Sequence, residues 1–272
     1  MLNSNEFTIF GGTMSKPLRS LLRVAHRGGS LLAPENTLGA FRQALTLPVD
    51  AIECDVQMTS DGQAIIFHDA TVDRLTEGSG NLLDLSLSYL RSLNAATHFP
   101  GEWPQREIIP TLREVLALLR GRKQVYIEVK NSKRDNVYGY YPRIAETVVE
   151  EVRAAGMSQH VLVIAFDWQI LADIRRLAPE LPIGLIVGGE WWLMQPPELV
   201  LTTLLELVAA LRCQLVNMDY RLFTPEISSA LHERDLKLGL WTVNTLEELQ
   251  RLAVAGVDSL TTDRPDLFAH IL

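Results

Sequence analysis

Between Ala51 and Asp69 the chain reads AIECDVQMTSDGQAIIFHD, the densest run of groups able to do chemistry. Glu53 and Asp55 are two apart, so on a strand they share one face, while Cys54 points the other way, toward covering helices. Two carboxylates on one face repel each other, and a divalent cation removes that cost. Glu128, in QVYIEVK, ends another apolar segment and can supply a third oxygen. An all-oxygen set suits Mg2+ or Ca2+ better than zinc. The alternative is a structural charge network in which Glu53 and Asp55 pair with Arg27 and Lys130.

His26 and His68 lie on either side of these acids in sequence, each ending an apolar segment and each followed by a charged residue. Singly, either reads as a core or capping histidine. Together, beside a cation and Arg27, two imidazoles suit acid–base attack on a phosphodiester: one deprotonates a nucleophile and the other protonates the leaving oxygen. Arg27 can grip phosphate oxygens in a bidentate fork, and Lys130 can add a point charge or hold Glu128 in place. Asp69 is expected to orient His68 or its arm rather than bind metal. In PENT, Glu35 is expected to brace the first loop or Arg27, and Asn36 or Thr37 to cap the next helix. Trp241, in LWTVN, has an aromatic face to wall a pocket or plug the core. His98, His160, His232 and His270 fall in a long loop, at a strand start, inside a helix and in the tail, and stay outside the set.

The elements that must position these groups recur along the chain. Eight short apolar segments, LLRVAHRG, AIECDVQ, QVYIEVK, HVLVIAF, PIGLIVGG, QLVNMDY, LKLGLWTV and VDSLTTD, mostly read as parallel strands covered on both faces. Helical stretches alternate with them. PTLREVLALLR offers Thr111 and Glu114 as a capping box, and TLEELQRLAVAG repeats the pattern with Thr245 and Glu248. YPRIAETVVEEVRAAG is expected to start at Pro142 and stop at Gly156. Eight strand–helix units, the last helix being weak, predict an α/β fold of the (β/α)8, or TIM, barrel type. An open doubly wound sheet is the runner-up, but no Gly-x-Gly-x-x-Gly follows the first strand. The DG turn before AIIFHD predicts a hairpin arm on strand two. It begins a small insertion over about residues 61–110, with one short helix near Ser86 to Leu93. Residues 21–272 then form a single barrel domain, and residues 1–20 are expected to be a poorly ordered leader, with Met14 an alternative start.

Composition narrows the function. The chain has 272 residues and net charge -8, which argues against nonspecific nucleic-acid binding but not against a small anionic substrate held by a local cation. No window reaches the ~20 apolar residues of a membrane span, so no stable membrane insertion is expected. Two cysteines, Cys54 and Cys213, make no disulfide framework, and a cytoplasmic setting is expected.

The blocks VAHRGGSLLAPENTLGAF, IECDVQMTSDGQAIIFHD, IPTLREVL, IEVK, LWTVN and GVDSLTTDRP resemble, in order, the signature blocks of the glycerophosphodiester phosphodiesterase family. The resemblance covers nearly all of residues 24–266. It implies a metal-dependent (β/α)8 barrel that hydrolyses glycerophosphodiesters, such as glycerophosphocholine or glycerophosphoethanolamine, to sn-glycerol 3-phosphate and an alcohol. It carries the catalytic histidines onto His26 and His68, and the ligands of one Mg2+ or Ca2+ onto Glu53, Asp55 and Glu128. It places the family arginine, lysine and pocket tryptophan at Arg27, Lys130 and Trp241. The implied mechanism is attack on phosphorus by a free glycerol hydroxyl, giving a cyclic phosphate that water opens. Ala165 departs from the polar residue common in the family. VGGEWWLMQPP is the least family-like piece, either an aromatic lip for the leaving side or loop packing. A lysophospholipase D-type lipid phosphodiesterase is the alternative activity, and it should show an exposed apolar patch around the mouth. A non-catalytic phosphometabolite-binding barrel is the alternative of another class. Sequence leaves the oligomeric state open.

Overall fold

The computed structural model describes residues 21–135 and 137–271, so the expected leader over residues 1–20 lies outside the described residues. Eight parallel strands form the frame: β1 (Leu22–Ala25), β2 (Ala51–Met58), β4 (Gln124–Val129), β7 (Val161–Ala165), β8 (Ile183–Val187), β9 (Leu215–Asp219), β10 (Lys237–Trp241) and β11 (Ser259–Thr262). Each pairs in parallel with the next, and β1 pairs with both β2 and β11, so the sheet closes into the expected (β/α)8 barrel. All eight sequence segments lie on these strands.

Outside the barrel run α1 (Leu38–Ala44), α3 (Leu112–Leu119), α4 (Ile144–Ala154), α5 (Trp168–Leu177), α7 (Val200–Leu211), α8 (Pro225–His232) and α9 (Leu246–Ala253). A 3-10 turn, Pro265–His270, stands where an eighth helix would be. The short helices α2 (Leu87–Leu90) and α6 (Gly189–Met194) lie in the connections after β2 and β8. Thr111 and Glu114 form the full capping box of α3, whose Leu112, Val115, Leu116 and Leu119 are all buried. The second box forms only by half. Thr245 accepts from the Glu248 backbone, but the Glu248 carboxylate turns to Arg251 at 2.6 Å. Helix α4 begins at Ile144 rather than Pro142, because Arg143 takes a left-handed backbone at φ 61.

Strand β2 is buried along its length, and its alternation sorts two environments. Ile52, Cys54 and Val56 join the core between barrel and helices, while Glu53 and Asp55 face inward. After β2 the chain turns at Gly62 (φ 76) and returns as β3 (Ala64–Ile66), antiparallel to Val56–Met58. The arm lies between two cores. Ile66 packs with the main core, whereas Ile65 and Phe67 join Val72, Leu82, Leu90 and Ile109 in a separate core of the insertion. A further hairpin, β5 (Ser132–Arg134) with β6 (Val137–Gly139), follows β4.

Candidate active site

The C-terminal ends of the strands open on a cavity of about 140 Å³. His26, Arg27, Glu53, His68, Glu128 and Lys130 line one half of it, from β1, β2, the β3 arm and β4. Ile164, Phe166, Ile186, Asn217, Trp241, Thr242 and Thr261 line the rest, on or just after β7 to β11. The cavity thus brings together all the candidate site residues except Asp55, which is fully buried beside it.

The three acids converge. One carboxylate oxygen from each of Glu53, Asp55 and Glu128 lies within 4.8 Å of the others. Cations hold them from the side. The Arg27 backbone N–H donates to Glu53 Oε2 at 2.9 Å, Arg27 Nε sits 3.2 Å from Asp55 Oδ2, and Lys130 Nζ donates to Glu128 Oε1 at 2.6 Å. The charge network weighed as the alternative is therefore present, but it does not use up the acids. Glu53 Oε1 and Asp55 Oδ1 are buried without a hydrogen-bond partner, and Lys130 Nζ is 3.5 Å from the latter. Orphaned buried carboxylate oxygens are costly, and an oxygen-seeking divalent cation fits the donor set they complete. Burial, and then the Asp55 and Glu128 charges, push the Glu53 carboxyl well above its ordinary range. Burial acts on Asp55 the same way, but Arg27 and Lys130 outweigh it and hold Asp55 below the usual carboxylate range.

The loop after β1 folds tightly to place His26 and Arg27. Arg27 and Asn36 adopt positive φ, and a side chain at Gly28 would meet Ala40 Cβ at 2.9 Å. Thr37 caps α1, which leaves Asn36 free to donate to Asp55 Oδ2 at 2.8 Å. Glu35 braces Arg27 as expected, at 2.9 Å.

Both histidines are held through Nδ1 by a carboxylate. His68 meets Asp69 at 2.7 Å, the orienting role read from sequence. His26 meets Asp263 at 2.6 Å, a partner the sequence reading missed although Asp263 directly follows β11 at the barrel mouth. Asp263 is itself fixed by Ser30 Oγ and by Asn244 Nδ2 at 2.7 Å. Burial tends to raise its carboxyl, but the hydrogen bond and charge of His26 outweigh this and lower it to about 2. Arg74 of the insertion forks between Asp69 and Glu35, linking the His68 arm to the loop that carries Arg27. Gln57, buried in β2, donates to the carbonyls of Phe67 and Asp69 and accepts from Tyr141, so the arm is also pinned by its backbone. Nothing in local pattern pointed to Arg74 or Gln57.

Trp241 walls the cavity. Its Nε1 donates to the Asn217 carbonyl at 3.0 Å, and its ring meets Phe166 edge-to-face at 5.6 Å. In α6, Trp191 and Trp192 pack against the main core, and the exposed apolar residues are Leu193 and Met194. His232 is bonded to Asp258 at 2.7 Å, before the start of β11 and so at the far end of the barrel.

The sequence pattern described as the glycerophosphoryl diester phosphodiesterase family matches residues 26–267. A glycerophosphodiester phosphodiesterase of Caldanaerobacter subterraneus is 35% identical over 255 residues, covering 92% of this chain and 97% of that protein. Another, of Bacillus altitudinis, is 32% identical, covering 89% and 94%. Among solved structures, a glycerophosphodiester phosphodiesterase of Agrobacterium tumefaciens superposes with TM-score 0.76 at 29% identity, over 93% of this chain and all of that one. An Oleispira antarctica phosphodiesterase, in complex with the product sn-glycerol-3-phosphate, gives TM-score 0.75 at 25% identity, over 92% and 95%.

Proposed function

The chain belongs to the glycerophosphoryl diester phosphodiesterase family and is an enzyme of that kind, and we propose that His26 and His68 supply its acid–base catalysis beside one divalent cation, Mg2+ or Ca2+. The cation is assigned to Glu53, Asp55 and Glu128, and substrates such as glycerophosphocholine and glycerophosphoethanolamine are assigned to the cavity above them. The carrying observation is the pair of orphaned oxygens, Glu53 Oε1 and Asp55 Oδ1, buried among three converging acids between two imidazoles. When bound, such a cation neutralises phosphate oxygens.

The chain's own residues divide the remaining tasks. Arg27 and Lys130 steer and grip the phosphate. Asp263 and Asp69, by accepting from Nδ1, leave Nε2 of each imidazole as the atom that takes or gives a proton. One histidine accepts the proton of the attacking hydroxyl and the other returns one to the leaving alkoxide, so the pair ends each displacement with its protons exchanged. The insertion core and the Gln57 clamp keep His68 in register with the barrel.

A second reading, hydrolysis of lysophospholipids, is favoured by one observation. Exposed apolar side chains follow β4, β7 and β8, among them Tyr138 of β6, Trp168 at the start of α5, and Leu193 and Met194 of α6. No helix among the described residues is long and apolar enough to cross a membrane. Cys54 and Cys213 are free and buried, in keeping with the proposed cytoplasmic setting. The test is release of glycerol 3-phosphate from glycerophosphocholine, with and without EDTA, by wild type, His26→Gln and His68→Gln. Loss in both variants and restoration by Mg2+ or Ca2+ are expected. Full activity in both variants, or in EDTA, overturns the assignment.

A further inference from the structure

The cavity has three sectors, and their order around the barrel bears on which part of a diester each receives. Charged side chains from β1 to β4 form the first, and Ile164, Phe166 and Ile186, on or just after β7 and β8, form an apolar second. The third, from β9 to β11, carries Asn217, Thr242 and Thr261 around Trp241, all of them uncharged. Because β11 pairs with β1, setting Thr261 beside Val24, this third sector adjoins the strand that leads into His26.

Two polar atoms of the third sector are left over. Asn217 is 4% exposed and Thr261 2%, and neither Asn217 Oδ1 nor Thr261 Oγ1 has a hydrogen-bond partner among the described residues. The fold makes room for the amide, since a Cβ at Gly239, its neighbour on β10, would meet Asn217 Oδ1 at 2.7 Å. The residue is also held in place, because its carbonyl accepts from Trp241 Nε1 at 3.0 Å. Unmade hydrogen bonds in a buried place are costly, so a ligand group that completes them is bound selectively. A phosphate or a metal ion is served by the charged sector. A neutral amide and hydroxyl suit instead a neutral hydroxyl, which donates to the amide oxygen and also pairs with the threonine.

In the scheme above one glycerol hydroxyl attacks phosphorus, beside the cation site and a histidine. The adjacent carbon carries glycerol's other free hydroxyl, which extends from the charged sector into one of its two neighbours. The side chains of the apolar sector give it no partner, and those of the third give it two.

Resting on the phosphodiesterase reading above, we infer that Asn217 and Thr261 form a subsite for the glycerol hydroxyl that does not attack, so that the enzyme selects diesters whose glycerol is unacylated there. A 1-acyl lysophospholipid brings an ester in place of that hydroxyl and leaves Asn217 Oδ1 without a donor.

The experiment compares kcat/KM for glycerophosphocholine and 2-hydroxypropyl phosphocholine, which keeps the attacking hydroxyl and lacks the other. Wild type is expected to prefer glycerophosphocholine by about 5- to 150-fold, the effect of leaving a buried polar group unpaired. Thr261→Val combined with Asn217→Leu should bring that preference to within about threefold. A wild-type preference below about threefold overturns the inference. So does a variant that slows both esters equally, the mark of a purely structural role. Where the double variant does not fold, Thr261→Val alone decides: a smaller preference than wild type supports the subsite, and an unchanged one refutes it. If neither ester is hydrolysed, the activity reading is the one that fails. Calorimetric titration with sn-glycerol 3-phosphate and propane-1,2-diol 1-phosphate then still decides the subsite: weaker binding of the second by wild type supports it, and equal binding refutes it.

Discussion

Replacing Asp263 by Asn isolates the role of the least expected residue at the site. The Asp263 carboxylate accepts from three donors: His26 Nδ1 and Ser30 Oγ on Oδ1, and Asn244 Nδ2 on Oδ2. An amide has one oxygen and one NH2, so one side must lose its acceptor. If the oxygen stays toward His26, the new NH2 faces the Asn244 NH2 at a site where the heavy atoms are 2.7 Å apart. Asn244 cannot flip to relieve this, because its own oxygen accepts from the Asp263 backbone and from Thr262 Oγ1. If the amide flips instead, its NH2 donates to His26 Nδ1, forcing the proton onto Nε2, the wrong tautomer for a base. The same substitution beside the histidine of a Ser-His-Asp triad costs about 10⁴ in kcat. With the first orientation partly available here, kcat for glycerophosphocholine should fall by about 10²–10⁴, or about 3–5 kcal/mol. Asp263 does not line the cavity, so KM should stay within about threefold, the pattern of a group felt only in the transition state. Steady-state kinetics beside His26→Gln, with thermal melts to confirm folding, make the measurement. If Asp263→Asn keeps kcat within about threefold while His26→Gln is inactive, the carboxylate does not set the histidine and the reasoning fails.

Arg74→Gln removes four hydrogen bonds to Asp69 and Glu35 from a side chain that is half exposed. Stability should drop by only about 1 kcal/mol, whereas kcat should fall about 10- to 100-fold through a loosened His68; millimolar guanidinium should restore part of it, and absence of any kcat change would rule out the link. Saturating Mg2+ or Ca2+, at about 100 times Kd, should stabilise the fold by about 2.7 kcal/mol, seen as a rise in Tm that vanishes in Asp55→Asn. The lowered Asp263 carboxyl gives an acid limb. Its ordinary value is 3.8 and its folded value about 2, so its contribution, about 2 kcal/mol, is fully present above pH ~4 and is lost as pH falls through about 2. Urea unfolding of wild type and Asp263→Asn over that window should converge at the acid end, and parallel curves would refute the linkage.

The barrel was legible because parallel strands buried on both faces leave continuous apolar runs, and the eight runs needed no long-range information to be counted. The acids were legible for a similar reason, since a period of two puts Glu53 and Asp55 on one face whatever surrounds them. The pairing of His26 with Asp263 spans 237 residues and leaves no local trace. Arg74 lies in the irregular insertion, where no period reveals which way a side chain points. Of the two cap candidates, Asn36 and Thr37, local pattern could not choose: Thr37 takes the cap, and the positive φ of Asn36 turns its amide to Asp55. The second capping box failed on competition, since Arg251 offers Glu248 an ion pair in place of one backbone N–H.

The charge network and the cation site looked like rival uses of the same acids, and the geometry makes them successive. Six carboxylates gather at the mouth, on Glu35, Glu53, Asp55, Asp69, Glu128 and Asp263, against three permanent cations on Arg27, Arg74 and Lys130. A phosphodiester anion meets a repulsive field there unless positive charge is added. Without a cation, Glu53 is the group that yields, since burial and its acidic neighbours favour its protonated form. Arg27 and Lys130 meanwhile hold Glu53, Asp55 and Glu128 by atoms other than Glu53 Oε1, and Lys130 reaches Asp55 Oδ1 only at 3.5 Å. The network therefore sets the carboxylates in place while leaving the oxygens a cation would need. A divalent cation held by Glu53, Asp55 and Glu128 would take the place of the Glu53 proton and supply the positive charge that a phosphodiester needs at this mouth.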